Sequence, residues 1–158
     1  MPPPLLIDLD HVDLDEVFLT REEIYKQLPH RFEFMLLDGV CMLDRDANRI
    51  VAYADIRVDG WWVRGHIPDR PLLPGVLMLE MAAQASAVVA KVLVGHGGFI
   101  GFGGVENCKF RETVVPPARL YILCVGSDLR PRRIISNTQG VIDGRLIFEA
   151  KITGLMLR

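Results

Sequence analysis

The sequence predicts an α+β fold in which one long apolar helix lies against one antiparallel sheet. Three features predict it. Residues Gly75 to Val94 form a mainly apolar run, with Pro74 where a helix can begin and Gly95 where one can end. From Phe99 to Leu157 the chain reads as successive strands separated by glycine and proline breaks. Within that stretch Asp143-Gly144, between two apolar runs, has the form of a two-residue hairpin turn.

Taken in order, residues 1–19 form an acidic extension: Asp8, Asp10, Asp13, Asp15 and Glu16 all precede the first basic residue, Arg21. It reads as a solvated or loosely docked tail. It has no basic region followed by a long apolar run, so no secretory signal is expected. A single domain is expected over residues 20–158. It opens with a short helix, since Thr20 and Glu23 fit a capping box, and Ile24, Gln27 and Leu28 continue one face until Pro29. Strand character follows from Phe34 to Val58, turned by Asp44–Asn48, with Ala52, Ala54, Ile56 and Val58 on one face and Gly60 closing the segment. Beyond the long helix, breaks are expected at Gly103–Gly104, Pro116–Pro117 and Ser127–Pro131. The stretches Gly95-His96-Gly97-Gly98 and Gly101-Phe102-Gly103-Gly104 read as turns, because neither follows a strand and opens a helix as a phosphate loop does.

Composition bounds the function. A chain of 158 residues suits one domain with a real core, and a net charge of −2 argues against nucleic acid as a partner. The three cysteines are odd in number, scattered and without CxxC spacing, which suits a reducing, cytoplasmic setting. The long helix is apolar enough to span a membrane, but Glu80, Gln84, Ser86 and Lys91 interrupt it. A carboxylate and an amide inside a lone span are costly in lipid, so a buried core helix is expected.

The stretch that carries chemistry runs from Gly65 to Glu80. Pro68, Pro71 and Pro74 stiffen the backbone between His66 and the helix start, as a positioned acid–base residue requires. Glu80 stands among Leu79, Met81, Ala82 and Ala83, where burial should raise its pKa and make it a general acid. Gln84, four residues on, shares its face and can orient the carboxyl group. The backbone amides of Gly75 and Val76, at the helix start, lack intrahelical partners and could hold a carbonyl oxygen that becomes negative. Base, acid and oxyanion donors together suit removal of an α-proton with loss of a β-hydroxyl. The bland alternatives are a surface histidine and a buried structural glutamate, and residue chemistry alone leaves both open. A metal site drawn from His66, Glu80, His96 and Cys108 has no supporting spacing.

The run GHIPDRPLLPGVLMLEMAAQ resembles the signature of FabZ-type 3-hydroxyacyl-[acyl-carrier-protein] dehydratases. The resemblance extends from about Ile24 to Leu157: LPHRFEFMLLDGV is similar to that family's opening, CKFRETVVP to one of its strands, and RRIISNTQGVIDGRLIFEAKI to its closing hairpin. It implies a hot-dog fold, with the helix wrapped by a curved antiparallel sheet, and a homodimer, sometimes a trimer of dimers. It implies a site at the dimer interface, pairing His66 of one subunit, as base at C2, with Glu80 of the other, which helps the C3 hydroxyl leave. Gly75 and Val76 would bind the thioester carbonyl, while Gln84, Pro68 and Pro74 support them. No cofactor is implied, since acyl carrier protein brings the substrate on its phosphopantetheine. Trp61, Trp62, Phe99 and Phe102 are candidate walls of an acyl tunnel. Arg64, Arg70, Arg111, Arg132 and Arg133 are candidates to meet an acidic carrier. The chain departs from the pattern at Asp69, Glu33, Gly39 and Pro117, where the family has glycine, proline, arginine and glycine. Asp69 can keep the loop conformation because aspartate tolerates left-handed backbone. A hot-dog thioesterase with Glu80 activating water, and a non-catalytic acyl or carrier-binding module, are the alternatives.

Overall fold

The computed structural model describes residues 1–157. Seven antiparallel strands form one sheet in the order β1-β2-β3-β5-β6-β7-β4. They are β1 (Leu19–Thr20), β2 (Gly39–Asp44), β3 (Arg49–Ile56), β4 (Phe99–Phe110), β5 (Ala118–Leu129), β6 (Arg133–Ile142) and β7 (Arg145–Leu157). Three α-helices accompany them among the described residues: α1 (Arg21–Gln27), α2 (Val63–His66) and α3 (Gly75–Val88). A π-helical segment, Val89–Val94, prolongs α3 to Gly95, whose left-handed backbone (φ 81°) ends it.

The local signals act as chemistry requires. The Thr20 hydroxyl accepts from the Glu23 amide, and the Glu23 carboxylate accepts from the Thr20 amide, closing the capping box of α1. Asp143 and Gly144 both have positive φ (50° and 75°), as a twisted hairpin between β6 and β7 demands. Helix α3 packs against β3 through β7, and Leu77, Met78, Met81, Ala82, Ala85 and Val88 are buried there. The apolar helix is therefore the core element the sequence led us to expect, not a lone span.

Several expectations fail, for non-local reasons. The extension is no loose tail. Ile7 is 2 % exposed and packs with Cys41, Val51, Tyr53, Leu123 and Val141 on the outer face of the sheet, flanked by Leu5, Leu6, Leu9 and Val12. Gln139 clips it down: its side-chain oxygen accepts from Leu6 N at 2.7 Å, and its amide donates to Pro4 O at 3.1 Å. The apolar residues between the carboxylates, not the carboxylates, decide where this strap goes. It also explains β3, whose Val51 and Tyr53 are buried beneath the strap while Ile50, Ala52, Ala54 and Ile56 face α3. Val58 is exposed beyond the strand end. Gly103–Gly104 do not break the chain. They sit inside β4 at a register shift between Phe102 and Gly104, so the glycines make a bulge rather than a turn. Likewise Ser127 lies within β5, beside a shift between Gly126 and Asp128.

The two sheet edges differ. β1 has only two residues, whereas β4 has 12, pairs with β7 alone, and leaves Phe99, Phe102, Val105 and Phe110 exposed. A long open edge with apolar side chains invites a further strand.

Candidate active site

Glu80 lies on the second turn of α3, and its side chain keeps about 25 % of its exposure. A chain of polar contacts fixes it. Leu37 N donates to the Tyr25 hydroxyl (2.8 Å), which donates to Gln84 Oε1 (2.5 Å). That fixes the amide orientation of Gln84, leaving its nitrogen to donate to Phe34 O and Glu80 Oε1, both at 2.9 Å. Burial pushes the Tyr25 hydroxyl up to about 12, so it stays a donor across the working range. His30 Nε2 stands 3.3 Å from the same Glu80 oxygen. Its Nδ1 is buried and meets no partner among the described residues, so a proton is best placed at Nε2, facing the carboxylate.

This surrounding corrects the expected acidity of Glu80. Burial does push its pKa up and is the largest single influence, but the hydrogen bonds from His30 and Gln84 and the charge of His30 together outweigh it. The net direction is down: Glu80 rests as a carboxylate. Apolar neighbours in the sequence suggested the opposite because His30, fifty residues away, is brought in by folding.

His66 is held differently. It ends the short turn α2 rather than lying in an open loop, with its own amide donating to Trp62 O at 2.9 Å. Its ring Nδ1 lies 2.7 Å from Leu72 O. A carbonyl can only accept, so Nδ1 carries a proton and Nε2 is left with a free lone pair. The loop between them turns at Asp69, whose φ of +65° is the left-handed conformation aspartate tolerates. Leu73 N then donates to Val114 O (2.9 Å), tying the loop to the connection between β4 and β5 before buried Pro74 begins α3. Pro68 is exposed. Leu77 N donates to Pro74 O (3.0 Å), so the amides of Gly75 and Val76 precede the first closed turn and have no acceptor within the helix.

Glu80, Gln84 and His30 open onto a cavity of about 180 Å³, otherwise lined mainly by apolar and glycine positions that include Ala83, Ala87, Phe99, Ile100, Phe102 and Ile152. Of the residues singled out in the sequence, Glu80, Gln84, Phe99 and Phe102 meet here. His66, Gly75, Val76 and the tryptophans do not line it. Trp62 is 9 % exposed and belongs to the core, while Trp61 is half-exposed and lies against Phe34, ring centroids 6.4 Å apart. Among the described residues no three His, Cys, Asp or Glu side chains gather as a metal site would need. Sequence reasoning missed Tyr25 and did not place His30 beside Glu80. The signal for His30 was its place in the LPHR motif, but its contact spans fifty residues and no local period reports it.

Comparison with known proteins identifies the family and the fold. The FabA-like domain family matches residues 28–151. The 3-hydroxyacyl-[acyl-carrier-protein] dehydratase FabZ of Agrobacterium fabrum (strain C58 / ATCC 33970) is 34% identical over 136 residues, 85% of this chain and 88% of that protein. The FabZ of Clostridium botulinum (strain Okra / Type B1) is 32% identical over 138 residues, 87% of this chain and 95% of that one. Among solved structures, the dehydratase heterocomplex ApeI:P from Xenorhabdus doucetiae superposes with a TM-score of 0.73 at 16% identity, covering 89% of this chain and 93% of that one. A mutant of the phenylacetic acid degradation protein PaaI from Thermus thermophilus gives 0.58 at 18% identity, covering 75% and 92%. These two share the fold, a helix in a sheet wrap, across different named roles. The chain belongs to the FabA-like family and, within it, to the FabZ-type dehydratases with the hot-dog fold.

Proposed function

We propose that the chain converts a 3-hydroxyacyl thioester carried on acyl carrier protein into the trans-2-enoyl thioester. The observation that carries this reading is Glu80, fixed by Gln84 and His30 at the wall of an apolar cavity. His66 Nε2 takes a proton from C2, and the electron pair moves onto the thioester oxygen, which the Gly75 and Val76 amides stabilise. The pair then returns to form the C2–C3 double bond as the C3–O bond breaks, and Glu80, protonated in this direction, supplies the proton that lets the hydroxyl leave as water. Run backwards, resting Glu80 is the carboxylate that takes a proton from water as it adds to C3, and protonated His66 gives one to C2. Each direction therefore adds one proton to the resting pair, on Glu80 for dehydration and on His66 Nε2 for hydration.

One copy is not enough for this chemistry, since His66 is absent from the cavity of its own Glu80. The open edge of β4 and its exposed aromatics support a homodimer in which each copy lends His66 to the other's Glu80. Arg64 and Arg70, exposed on either side of His66 and without carboxylate partners among the described residues, suit an acidic carrier; Arg111 and Arg133 are already paired with Glu149 and Asp128. No cofactor has a part in these steps. The test is loss of enone absorbance when the protein meets a trans-2-enoyl thioester on carrier protein. Release of free thiol instead would make Glu80 the base of a thioesterase, and binding without turnover would leave a carrier-binding module.

A further inference from the structure

A second cavity, of about 310 Å³, adjoins the first: His30, Ala87, Phe99 and Ile100 line both. Part of its wall is cationic. Lys26 from α1, Arg31 after it and Lys91 from the π-helical segment line it, with no Asp or Glu among the lining residues. None of the three cations has a carboxylate partner among the described residues. Arg31 donates to the carbonyls of Leu28 and His30, and Lys91 to that of Gly98, contacts that aim the side chains without neutralising them. Lys91 stands eleven residues beyond Glu80, roughly 16 Å along the helix at the α-helical rise.

An acyl chain whose C3 sits at Glu80 runs along the apolar cavity toward this wall. We infer that the second cavity receives the distal end of the acyl chain, and that the preferred substrates end there in a carboxylate rather than a methyl group. This rests on the dehydratase reading and names the substrate class within it. A methyl end gains nothing from three uncompensated cations, whereas a carboxylate can take charge-assisted hydrogen bonds from them. The match in length falls at an acyl chain of about ten carbons, allowing for C–C bonds of ~1.5 Å and the reach of the lysine.

The test compares hydration of trans-2-enoyl thioesters ending in methyl or carboxylate, on the same carrier protein, at chain lengths of roughly eight to fourteen carbons. The carrier and its phosphate are common to both, so only the distal end differs. The expected result is a kcat/KM ratio of carboxylate to methyl of about three to ten near the matched length. That ratio should fall toward one in Lys26→Glu and Lys91→Gln, and on adding salt. Turnover of methyl-ended substrates with a wild-type ratio at or below one at every length overturns the distal site and leaves the dehydratase standing. No turnover of either series removes both. A ratio above one that neither substitution lowers also overturns it, because the preference then arises elsewhere.

Discussion

Glu80 and His66 are held by opposite means. The carboxylate stands on the core helix, its geometry determined by Gln84, Tyr25, His30 and a main-chain oxygen from a loop fifty residues away. The imidazole stands on an exposed turn, steered by one carbonyl six residues downstream. The first is a product of tertiary packing, the second of a stiff local loop. A substitution near Glu80 should therefore act through protonation and stability, and one near His66 through placement alone.

The largest effects test the two groups themselves. Glu80→Gln and His66→Ala should each lower kcat for enoyl hydration by about 10²- to 10⁴-fold, with His66→Ala leaving thermal unfolding close to wild type. Mixing the two inactive variants under subunit exchange should restore roughly a quarter of wild-type activity, since half of random dimers are mixed and each has one intact site. Failure of that rescue, with exchange verified by mass, would place both groups of a site in one copy. Tyr25→Phe leaves Gln84 Oε1 and the Leu37 amide without their partner and should cost about 2 kcal/mol in urea unfolding, together with a loss of kcat. The corresponding change beside His66, Leu72→Ala, keeps the accepting carbonyl and should leave activity within a few-fold.

His30→Phe gives a subtler signature. His30 holds the Glu80 pKa below the usual carboxylate range, so hydration should persist as pH falls until Glu80 protonates. Removing His30 should move that acid limb to higher pH while the chain remains folded. The stability effect has the matching sign: the interaction with ionised Glu80 is present above the carboxylate's unfolded pKa and is lost as pH falls through its folded value. A pH–rate profile unchanged by the substitution would deny His30 any hold on Glu80. Smallest of all, Asp69→Ala meets a left-handed backbone (φ +65°) and should cost about 1 kcal/mol, whereas Asp69→Gly should be tolerated.

The same division governs how much could be read from the sequence. Whatever is specified within a few residues was legible: the capping box at Thr20, the Asp143-Gly144 hairpin, the limits of the long helix, and the Glu80–Gln84 contact four residues apart. Whatever depends on distant chain was not. Val51 and Tyr53 lie under a strap about forty residues earlier in the chain, so β3 is buried on both faces where its alternation predicts one. The glycines of β4 resemble a turn until the pairing with β7 shows them absorbing a bulge. The acidity of Glu80 was misjudged because the partners that reverse the burial effect include one that no local period announces. The resemblance to the dehydratase family supplied what local physics lacked, a reason to propose that His66 and Glu80 serve one reaction.

The strap has a consequence for how this protein can grow. A sheet in a wrap of this kind has two faces and two edges through which to meet its neighbours. Here the inner face holds α3, the outer face carries residues such as Leu6 and Ile7, and the β1 edge is two residues long. Stacking sheet on sheet would first require peeling the strap away. Lateral extension from β4, the contact proposed for the homodimer, requires no such rearrangement.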